Sequence, residues 1–251
     1  MNILAIFAHP DDETMLSGGV LALLAKLGAA VHYVSATRGE GGEPGEPPLC
    51  EKSELGEVRA QELACAVRAL GGISLEFLGY IDPQVGEEGV LFPFLADPMV
   101  LRAQIQESIH RHQIGIVITH GSNGEYGHPA HRLVHDSVYQ TVSEMGENAP
   151  LLYTTQAAFP QHPKPRLMNK DDPAHLILDI TPVFDQKVRA ALCHRTQHAL
   201  FIRRPSRETG RQMTVPEVIV RIESLHRAWP AVEGRLEDEL VKCLNRFTVQ
   251  D

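Results

Sequence analysis

Residues 2–8 read NILAIFA, and residues 9–13 read HPDDE. The first string is short and almost entirely apolar, which is typical of a strand buried inside a sheet. The second string is polar and leads into residues 14–27, whose apolar side chains recur at helical spacing before Gly28, a residue suited to a helix end. Because residues 30–36 again favour a strand, this part of the chain predicts a β-α-β unit with a right-handed crossover.

The same alternation continues along the chain. Helices are predicted over residues 53–70, 97–112 and 129–145 and from Thr181-Pro182, and strands over residues 75–78, 114–119, 151–156 and 176–180. The strand at 114–119 is a continuous run of mostly β-branched apolar residues, as found in parallel sheets that are covered on both faces. We therefore predict an α/β protein with a three-layer, Rossmann-like fold, in which helices flank a mainly parallel sheet.

The C-terminal part has a weaker pattern. Residues 197–214 are polar and basic and predict a loop or mobile flap, whereas residues 215–227 and 236–247 predict terminal helices. We assign residues 1–200 to one α/β domain that would carry any catalytic site. Residues 201–251 are assigned to a C-terminal loop and helices that pack on the same domain.

Composition excludes several classes of protein. A net charge of −9 without a block of Lys and Arg argues against a nucleic-acid partner. No apolar stretch is long enough for a transmembrane helix, and no secretory signal is recognisable, so we expect no membrane partner. The four cysteines lie far apart and form no C-x-x-C pair, which predicts reduced thiols and a cytoplasmic protein.

The HPDDE string lies where an α/β protein usually binds its ligand, beyond the carboxyl end of a strand. A dinucleotide-binding protein would carry a glycine-rich turn there, and carboxylates would repel a phosphate but attract a metal cation. His9 and Asp12 are three residues apart and are both good zinc ligands, with Asp11 between them. The alternative is that Asp12 or Glu13 serves only to stabilise a helix N-terminus.

A second polar string, YGHPAH at residues 126–131, follows the strand at 114–119 and should reach the same edge of the sheet. A catalytic zinc needs three protein ligands and an open position, so one of His128 and His131 can complete the set while the other takes part in chemistry. The alternative is a surface pair of histidines at a helix start. His120 and His135 are expected to pack or to support ligands.

Together, the two strings resemble those of the LmbE-like, or PIG-L type, de-N-acetylases. That family acts on N-acetylglucosamine conjugates, including precursors of mycothiol and bacillithiol, and related members cleave other glucosaminyl amides. The resemblance covers about the first 200 residues. Weaker matches support it at residues 37–42, at Arg59 and Glu62, at residues 78–82, and in a late motif made of Lys187, Ala191, Leu192, His194, Thr196 and Gln197.

The resemblance implies His9, Asp12 and His131 as metal ligands. It implies Asp11 as the general base and His128 as an electrostatic partner of the reacting carbonyl group. The metal would be Zn²⁺, although Fe²⁺ accepts the same ligands.

Further roles are carried over in the same way. The resemblance implies that Tyr126 polarises the substrate carbonyl and that Arg59 and Asp82 contact the sugar or its linked group. One departure is Ala130, where many members have Asp, because it removes an acceptor that orients a histidine.

The implied function is a zinc-dependent hydrolase that removes an N-acyl group, with acetyl expected, from a small amino-sugar compound. Zinc lowers the pKa of water from 15.7 to about 7. Asp11 would take a proton from the water, a protonated His128 would stabilise the oxyanion, and Asp11 would return the proton to the amine. A homo-oligomer is expected. The alternatives are a mycothiol-type S-conjugate amidase, a Rossmann-like nucleotide-binding oxidoreductase and a noncatalytic metal-binding protein.

Overall fold

A computed structural model describes residues 1–232, 234 and 236–249; positions 233, 235, 250 and 251 of the C-terminal assignment lie outside the described residues. In chain order, the strands and α-helices are β1 (Asn2–Phe7), α1 (Asp12–Lys26), β2 (Ala30–Thr37), α2 (Leu55–Leu70), β3 (Ser74–Tyr80), α3 (Pro98–Arg111), β4 (Ile116–Thr119), α4 (Pro129–Glu144), β5 (Leu151–Thr155), β6 (Ala157–Ala158), β7 (Asn169–Pro173), β8 (Leu176–Asp179), α5 (Phe184–Cys193), α6 (His198–Thr209), α7 (Val215–Val218), β9 (Ile222–Trp229) and α8 (Glu239–Leu244). None of these helices combines the length and apolar character that crossing a membrane requires.

Seven strands form the main sheet in the order β3-β2-β1-β4-β5-β9-β8. The strands from β3 to β5 are parallel, whereas β9 runs antiparallel to both of its neighbours. The strand order reverses direction between β1 and β4, so the chain leaves these neighbouring strands toward opposite sides and opens a crevice at their carboxyl ends. The predicted fold, a mainly parallel sheet flanked by helices, is confirmed.

Alternate residues of β1 pack into two separate cores. Ile3, Ala5 and Phe7 face a cluster that includes buried residues of α1, α2, α5 and α8. Leu4 and Ile6 face the opposite cluster, which includes α3 and α4. The sheet is therefore the middle of three layers. Both of its faces are covered by apolar side chains of the helices, which explains the continuous apolar strands.

Helix α1 is broken one turn after it begins. Ser17 has φ −148° and ψ 16°, outside the helical region. The break frees backbone groups inside the protein, and the side chains of two distant residues bind them. Glu223 accepts from the backbone N–H groups of Gly19 at 2.8 Å and Val20 at 2.7 Å, and the side-chain amide of Gln156 donates to the carbonyl oxygen of Leu16 at 2.6 Å.

The prediction of a helix over residues 215–227 is wrong. The structure has the four-residue helix α7 followed by β9, which lies between β5 and β8. Glu223 and Arg227 of this strand are buried and form ion pairs with Lys187 and Asp238. Because these charged residues occupy inward positions, the alternation of apolar and polar residues that identifies a strand is hidden. The ion pairs with Lys187 and Asp238 offset the cost of burying the two charges.

The basic segment after residue 197 is also different from its prediction as a loop or flap. Residues His198–Thr209 form helix α6. Arg203 in this helix donates to both carboxylate oxygens of Glu43, at 2.8 and 2.6 Å. This bidentate pair fastens the loop after β2 to α6, so the basic residues are a structured helix surface.

Cys65 of α2 and Cys193 at the end of α5 form a disulfide. The prediction of reduced thiols is therefore wrong for these two residues, while Cys50 and Cys243 are free. The pair is separated by 128 residues, so spacing in the sequence gave no sign of it. The disulfide links two helices that lie on the same face of the sheet.

Candidate active site

Asp11 adopts a left-handed backbone conformation in the turn between β1 and α1. Its φ is 99°, a value that a non-glycine residue keeps only when its surroundings enforce it. Its N–H donates to Glu13 Oε2 at 3.0 Å, and its Oδ2 accepts from Arg59 Nη2 at 3.0 Å. The turn brings His9 Nδ1 to 3.3 Å from Asp12 Oδ2.

The other half of the site comes from the loop between β4 and α4. His128 caps α4, because its Nδ1 accepts from the backbone N–H of Ala130 at 3.2 Å, and Pro129 takes the first helical position. His131 follows in the first turn of α4, and its Nε2 lies 3.3 Å from Asp12 Oδ1. The two polar strings thus meet at the crevice between β1 and β4, as the sequence predicts.

Two overlapping groups of buried side chains bring ligand atoms within 4.8 Å of one another. One group is His9, His128 and His131, and the other is Asp12, His120 and His131. The ligand set expected from the sequence takes members from both, with His131 common to the two.

Hydrogen bonds determine which ring nitrogens are available to a cation. His120 Nε2 accepts the backbone N–H of Ala8 at 2.9 Å, so its lone pair is occupied. His128 Nδ1 accepts from Ala130, which places the hydrogen of the neutral ring on Nε2. Neither His120 nor His128 therefore presents a free Nε2 lone pair.

His9 and His131 differ from these two residues. The Nε2 atom of each is buried and has no hydrogen-bond partner within the described residues. His9 Nε2 lies 3.2 Å from Asp82 Oδ1, without the direction of a hydrogen bond. Burial opposes a charge on His9, but the nearby carboxylates of Asp12 and Asp82 raise its pKa to about 10. Orphaned imidazole nitrogens in surroundings that favour positive charge fit a divalent cation.

Glu125 is a residue of the site that the sequence analysis missed. Its Oε2 accepts from His131 Nδ1 at 2.6 Å and from His120 Nδ1 at 3.1 Å, and Oε1 accepts from Gly121 N at 3.0 Å. Burial raises the pKa of this carboxyl, but the two histidines outweigh burial and hold the pKa well below its usual range. Glu125 accepts the hydrogen bond that the absence of Asp at position 130 was expected to remove. The orientation of the His131 ring is therefore still fixed. An acidic residue in the same short loop was the available signal.

The protonation states of Asp11 and His128 follow from their surroundings. Burial raises the pKa of Asp11 to about 6, against the opposing charge of Arg59. Burial lowers the pKa of His128 to about 3, and the neighbouring His131 and His9 act in the same direction. The lowered pKa and the hydrogen bond that His128 Nδ1 accepts both favour a neutral ring with its hydrogen on Nε2. The protonated ring expected from the family resemblance stays a prediction.

Tyr126 and Asp82 lie on either side of the histidines. The Tyr126 ring stands edge-on to His128 and His131, with centroid distances of 5.6 Å to each. Burial and the nearby acidic groups raise the pKa of Tyr126, so its hydroxyl keeps its hydrogen. Burial raises the pKa of Asp82, but the adjacent His9 outweighs burial and lowers it, so Asp82 carries a negative charge.

Arg59 of α2 is buried and surrounded by protein acceptors. Besides Asp11, it donates to the backbone carbonyl oxygens of Pro10 and Gly39, the latter at 2.9 Å. A Cβ at Gly39 would lie 2.2 Å from Arg59 Nη1, so this glycine permits the close approach. In the structure Arg59 holds the turn around Asp11, and its predicted contact with a substrate stays a prediction.

The late sequence motif lies directly behind these loops. Its polar members each bind an acidic residue or a loop that is far away in the sequence. The pairs are His194 Nε2 with Glu13 Oε1 at 3.0 Å, Thr196 N with Glu62 Oε1 at 2.8 Å, and Gln197 Nε2 with the Glu43 carbonyl at 2.8 Å. The sequence separations are 134–181 residues, so the motif was visible but its partners were not.

Comparison with known proteins places these loops in a family. Residues 4–142 match the GlcNAc-PI de-N-acetylases, PIG-L. A 1D-myo-inositol 2-acetamido-2-deoxy-alpha-D-glucopyranoside deacetylase of Kineococcus radiotolerans is 35% identical over 161 residues, which are 56% of this chain and 44% of that protein. The deacetylase of the same name from Rhodococcus erythropolis is 30% identical over 236 residues, covering 78% of this chain and 80% of its own. The chain thus spans less than half of the Kineococcus protein.

A solved structure shares the fold. The 4-carboxy-2-hydroxymuconate hydratase from Pseudomonas putida KT2440 superposes with a TM-score of 0.60 at 24% identity, covering 94% of this chain and 99% of its own. The family match contains both polar strings, and the Rhodococcus relative aligns with most of the chain. These findings confirm the resemblance inferred from the sequence: the chain belongs to the GlcNAc-PI de-N-acetylase (PIG-L) family.

Proposed function

We propose that this protein is a zinc-dependent hydrolase that removes an N-acyl group, and specifically an acetyl group, from a glucosaminyl compound. The two relatives described above are named as deacetylases of an inositol-linked 2-acetamido sugar, which supports this reaction class. The observation that carries the proposal is the pair of orphaned Nε2 atoms, of His9 and His131, on either side of Asp12 and next to Asp11.

His9, Asp12 and His131 would hold the metal, because the Nε2 atoms of the two histidines have no hydrogen-bond partner within the described residues and all three residue types suit Zn²⁺; the same ligands would also accept Fe²⁺. The metal, when bound, supplies Lewis acidity that makes water acidic enough to lose a proton near neutral pH. Asp12 brings the negative charge that offsets part of the charge of the cation. Glu125 holds His131 in the tautomer that leaves Nε2 unprotonated.

Asp11 is the proposed proton acceptor. Arg59 binds its Oδ2, so we assign the proton transfer to Oδ1. The proton taken from water would pass from Oδ1 to the nitrogen of the departing amine. The left-handed backbone of Asp11 fixes the position of its side chain in the turn that also carries His9 and Asp12.

Two donors are available to the substrate carbonyl oxygen as it gains negative charge. His128 is neutral and fixed by Ala130, so it presents an N–H at Nε2. Tyr126 retains its hydroxyl hydrogen and lies beside the same rings. Preorganised donors of this kind stabilise a tetrahedral oxyanion without reorganising during the reaction. Asp82, which is charged and adjacent to His9, would bind sugar hydroxyls, and Arg59 would reach the sugar or its linked group from behind Asp11.

The test is release of free amine from a panel of N-acetylglucosamine, its inositol and malate conjugates, a chito-oligosaccharide and an amide S-conjugate. Each substrate is incubated with zinc-loaded protein and with protein stripped by a chelator. We expect amine release that depends on zinc, with a preference among the conjugates. The S-conjugate decides between deacetylase and amidase, because only the amidase alternative predicts that it is the best substrate.

Two variants make the panel diagnostic. Asp11→Asn should retain zinc and lose amine release, whereas Asp12→Ala should lose zinc itself. A shared fold does not fix the reaction, as the hydratase with a TM-score of 0.60 illustrates. If zinc binds at a one-to-one ratio and no member of the panel releases amine, the hydrolase proposal is wrong.

A further inference from the structure

Glu13 connects the backbone of Asp11 to the late motif. One oxygen of its carboxylate accepts the Asp11 N–H at 3.0 Å, and the other lies 3.0 Å from His194 Nε2. The hydroxyl of Thr14 also donates to this carboxylate. Glu13 and His194 are 2% and 0% exposed, so water cannot replace either contact. A buried carboxylate of this kind needs its donors to remain in place.

The residues that flank His194 in the sequence are attached to α2 by a disulfide and by hydrogen bonds. The preceding residue, Cys193, is disulfide-bonded to Cys65 of that helix. Two residues further on, Thr196 donates through its N–H and its hydroxyl to Glu62, at 2.8 and 2.6 Å. The ring of His194 therefore has little freedom to leave Glu13.

The same helix α2 also holds the side chain of Asp11. Arg59 donates to Asp11 Oδ2, six residues before Cys65 in the sequence. Asp11 is consequently fixed at two points from one rigid unit, its carboxylate through Arg59 and its N–H through Glu13 and His194. These two contacts hold Asp11 in its left-handed conformation with φ 99°, which a non-glycine residue keeps only when its surroundings enforce it.

We infer that His194 is a positioning residue for Asp11, which it controls through Glu13. The inference rests on the proposed role of Asp11 as the base. His194 does not reach the substrate in this arrangement. Its Nε2–H keeps the Glu13 carboxylate where Glu13 can hold the Asp11 N–H.

The test compares His194→Gln with His194→Asn. Glutamine places an amide nitrogen near the position of Nε2 and can still donate to Glu13, whereas asparagine is too short. Both replacements are polar primary amides, and they differ from each other by one methylene group. We expect kcat of the Asn variant to fall about 10–100-fold with KM unchanged and zinc retained, as for other outer partners of a catalytic site, and the Gln variant to recover most of the loss.

A second measurement does not depend on activity. Amide hydrogen exchange of Asp11 should become at least about tenfold faster in His194→Asn and stay near the wild-type rate in His194→Gln, because the N–H loses its acceptor only in the former. The matched control is His198→Asn, which alters a histidine on the following helix whose side-chain hydrogen bond, among the described residues, goes to the backbone carbonyl of Leu192. It should change neither kcat nor Asp11 exchange.

These readouts separate the two ideas. If wild-type protein releases no amine but Asp11 exchange responds as expected, the proposed function fails while the Glu13–His194 connection stands. If exchange and kcat are unchanged in His194→Asn, or if Gln and Asn lose activity equally, the inference is wrong. If His194→Asn does not fold, Glu13→Ala takes its place and should show the same kcat loss, with zinc retained; unchanged kcat would overturn the inference.

Discussion

Replacing Glu125 by Gln is the sharpest test of how the metal site is built. The wild-type carboxylate accepts four hydrogen bonds, two at Oε2 from His131 and His120 and two at Oε1 from Gly121 N and Asn169 Nδ2. An amide has only one oxygen. Whichever way the amide is turned, its NH₂ group faces two donors.

The magnitude follows from the two possible orientations. If the amide oxygen stays with Gly121 and Asn169, His131 loses its acceptor and can take the tautomer that protonates Nε2, the atom proposed to bind zinc. Loss of such a partner weakens metal binding about 10–100-fold, or about 1.4–2.8 kcal/mol. If the amide turns round, the Gly121 N–H and one N–H of the Asn169 side chain lose their acceptor instead, and metal-free protein loses about 1–3 kcal/mol of unfolding free energy for each.

The assay is a competition for zinc between the protein and a fluorescent chelator, combined with thermal unfolding of the metal-free form. The matched control is Asp172→Asn, which changes a buried carboxylate that binds Ser122 in the same loop but contacts no histidine. We expect weaker zinc binding for Glu125→Gln and unchanged zinc binding for Asp172→Asn. Zinc affinity within about twofold of wild type in both variants would refute the argument that Glu125 sets the tautomer of His131.

Three further predictions concern the base, a close contact and the disulfide. Asp11→Asn should lower kcat about 100- to 10,000-fold while zinc content, measured by elemental analysis, stays at the wild-type value. Gly19→Ala should lower the unfolding free energy by about 1–3 kcal/mol, because a Cβ there would lie 2.6 Å from Ile180 Cβ; urea denaturation measures the loss, and an unchanged free energy of unfolding would contradict this close contact. Replacing Cys65 and Cys193 together by Ser should lower unfolding free energy by about 4–5 kcal/mol, since the closed loop spans 128 residues; a cost below about 1 kcal/mol would show that the bond contributes little in solution.

The parallel half of the sheet could be predicted because its information is local. Strands β1, β2, β4 and β5 are buried along almost their whole length, and the helices between the parallel strands place apolar residues at helical spacing. The position of the site follows from the same logic, since polar strings after β1 and β4 must meet where those strands end. Their own neighbourhoods made His9, Asp12 and one of His128 and His131 ligand candidates, and only the family resemblance selected His131.

The features that escaped prediction depend on pairs that are far apart in the chain. β9 was read as a helix because Glu223 and Arg227 occupy positions that normally face solvent, and their burial makes sense only once Lys187 and Asp238 are placed. The disulfide is similar, because neither cysteine has a local signature. Glu125 is a different case, because it lies in the loop between β4 and α4 but just outside the polar string at residues 126–131.

The break in α1 explains why these distant residues matter to the site. The first turn of the helix carries Asp12, whose direction is set by the turn after β1, while residues 20–24 must pack inside the core. In a continuous helix, the direction of Asp12 would be fixed by the packing of residues 20–24 in the core. The break at Ser17 separates them but leaves backbone groups unpaired in the interior, at about 1–3 kcal/mol each.

Those backbone groups are bound by side chains from the C-terminal part of the sheet. Glu223 on β9 binds two N–H groups of the helix and is neutralised by Lys187, and Gln156, just after β5, binds the remaining carbonyl. Both Glu223 and Lys187 lie outside residues 4–142, the part that matches the family. The antiparallel strand β9 therefore helps to position the turn that carries His9 and Asp12, the proposed ligands, and the segment that matches the family does not contain all of the residues that hold this turn in place.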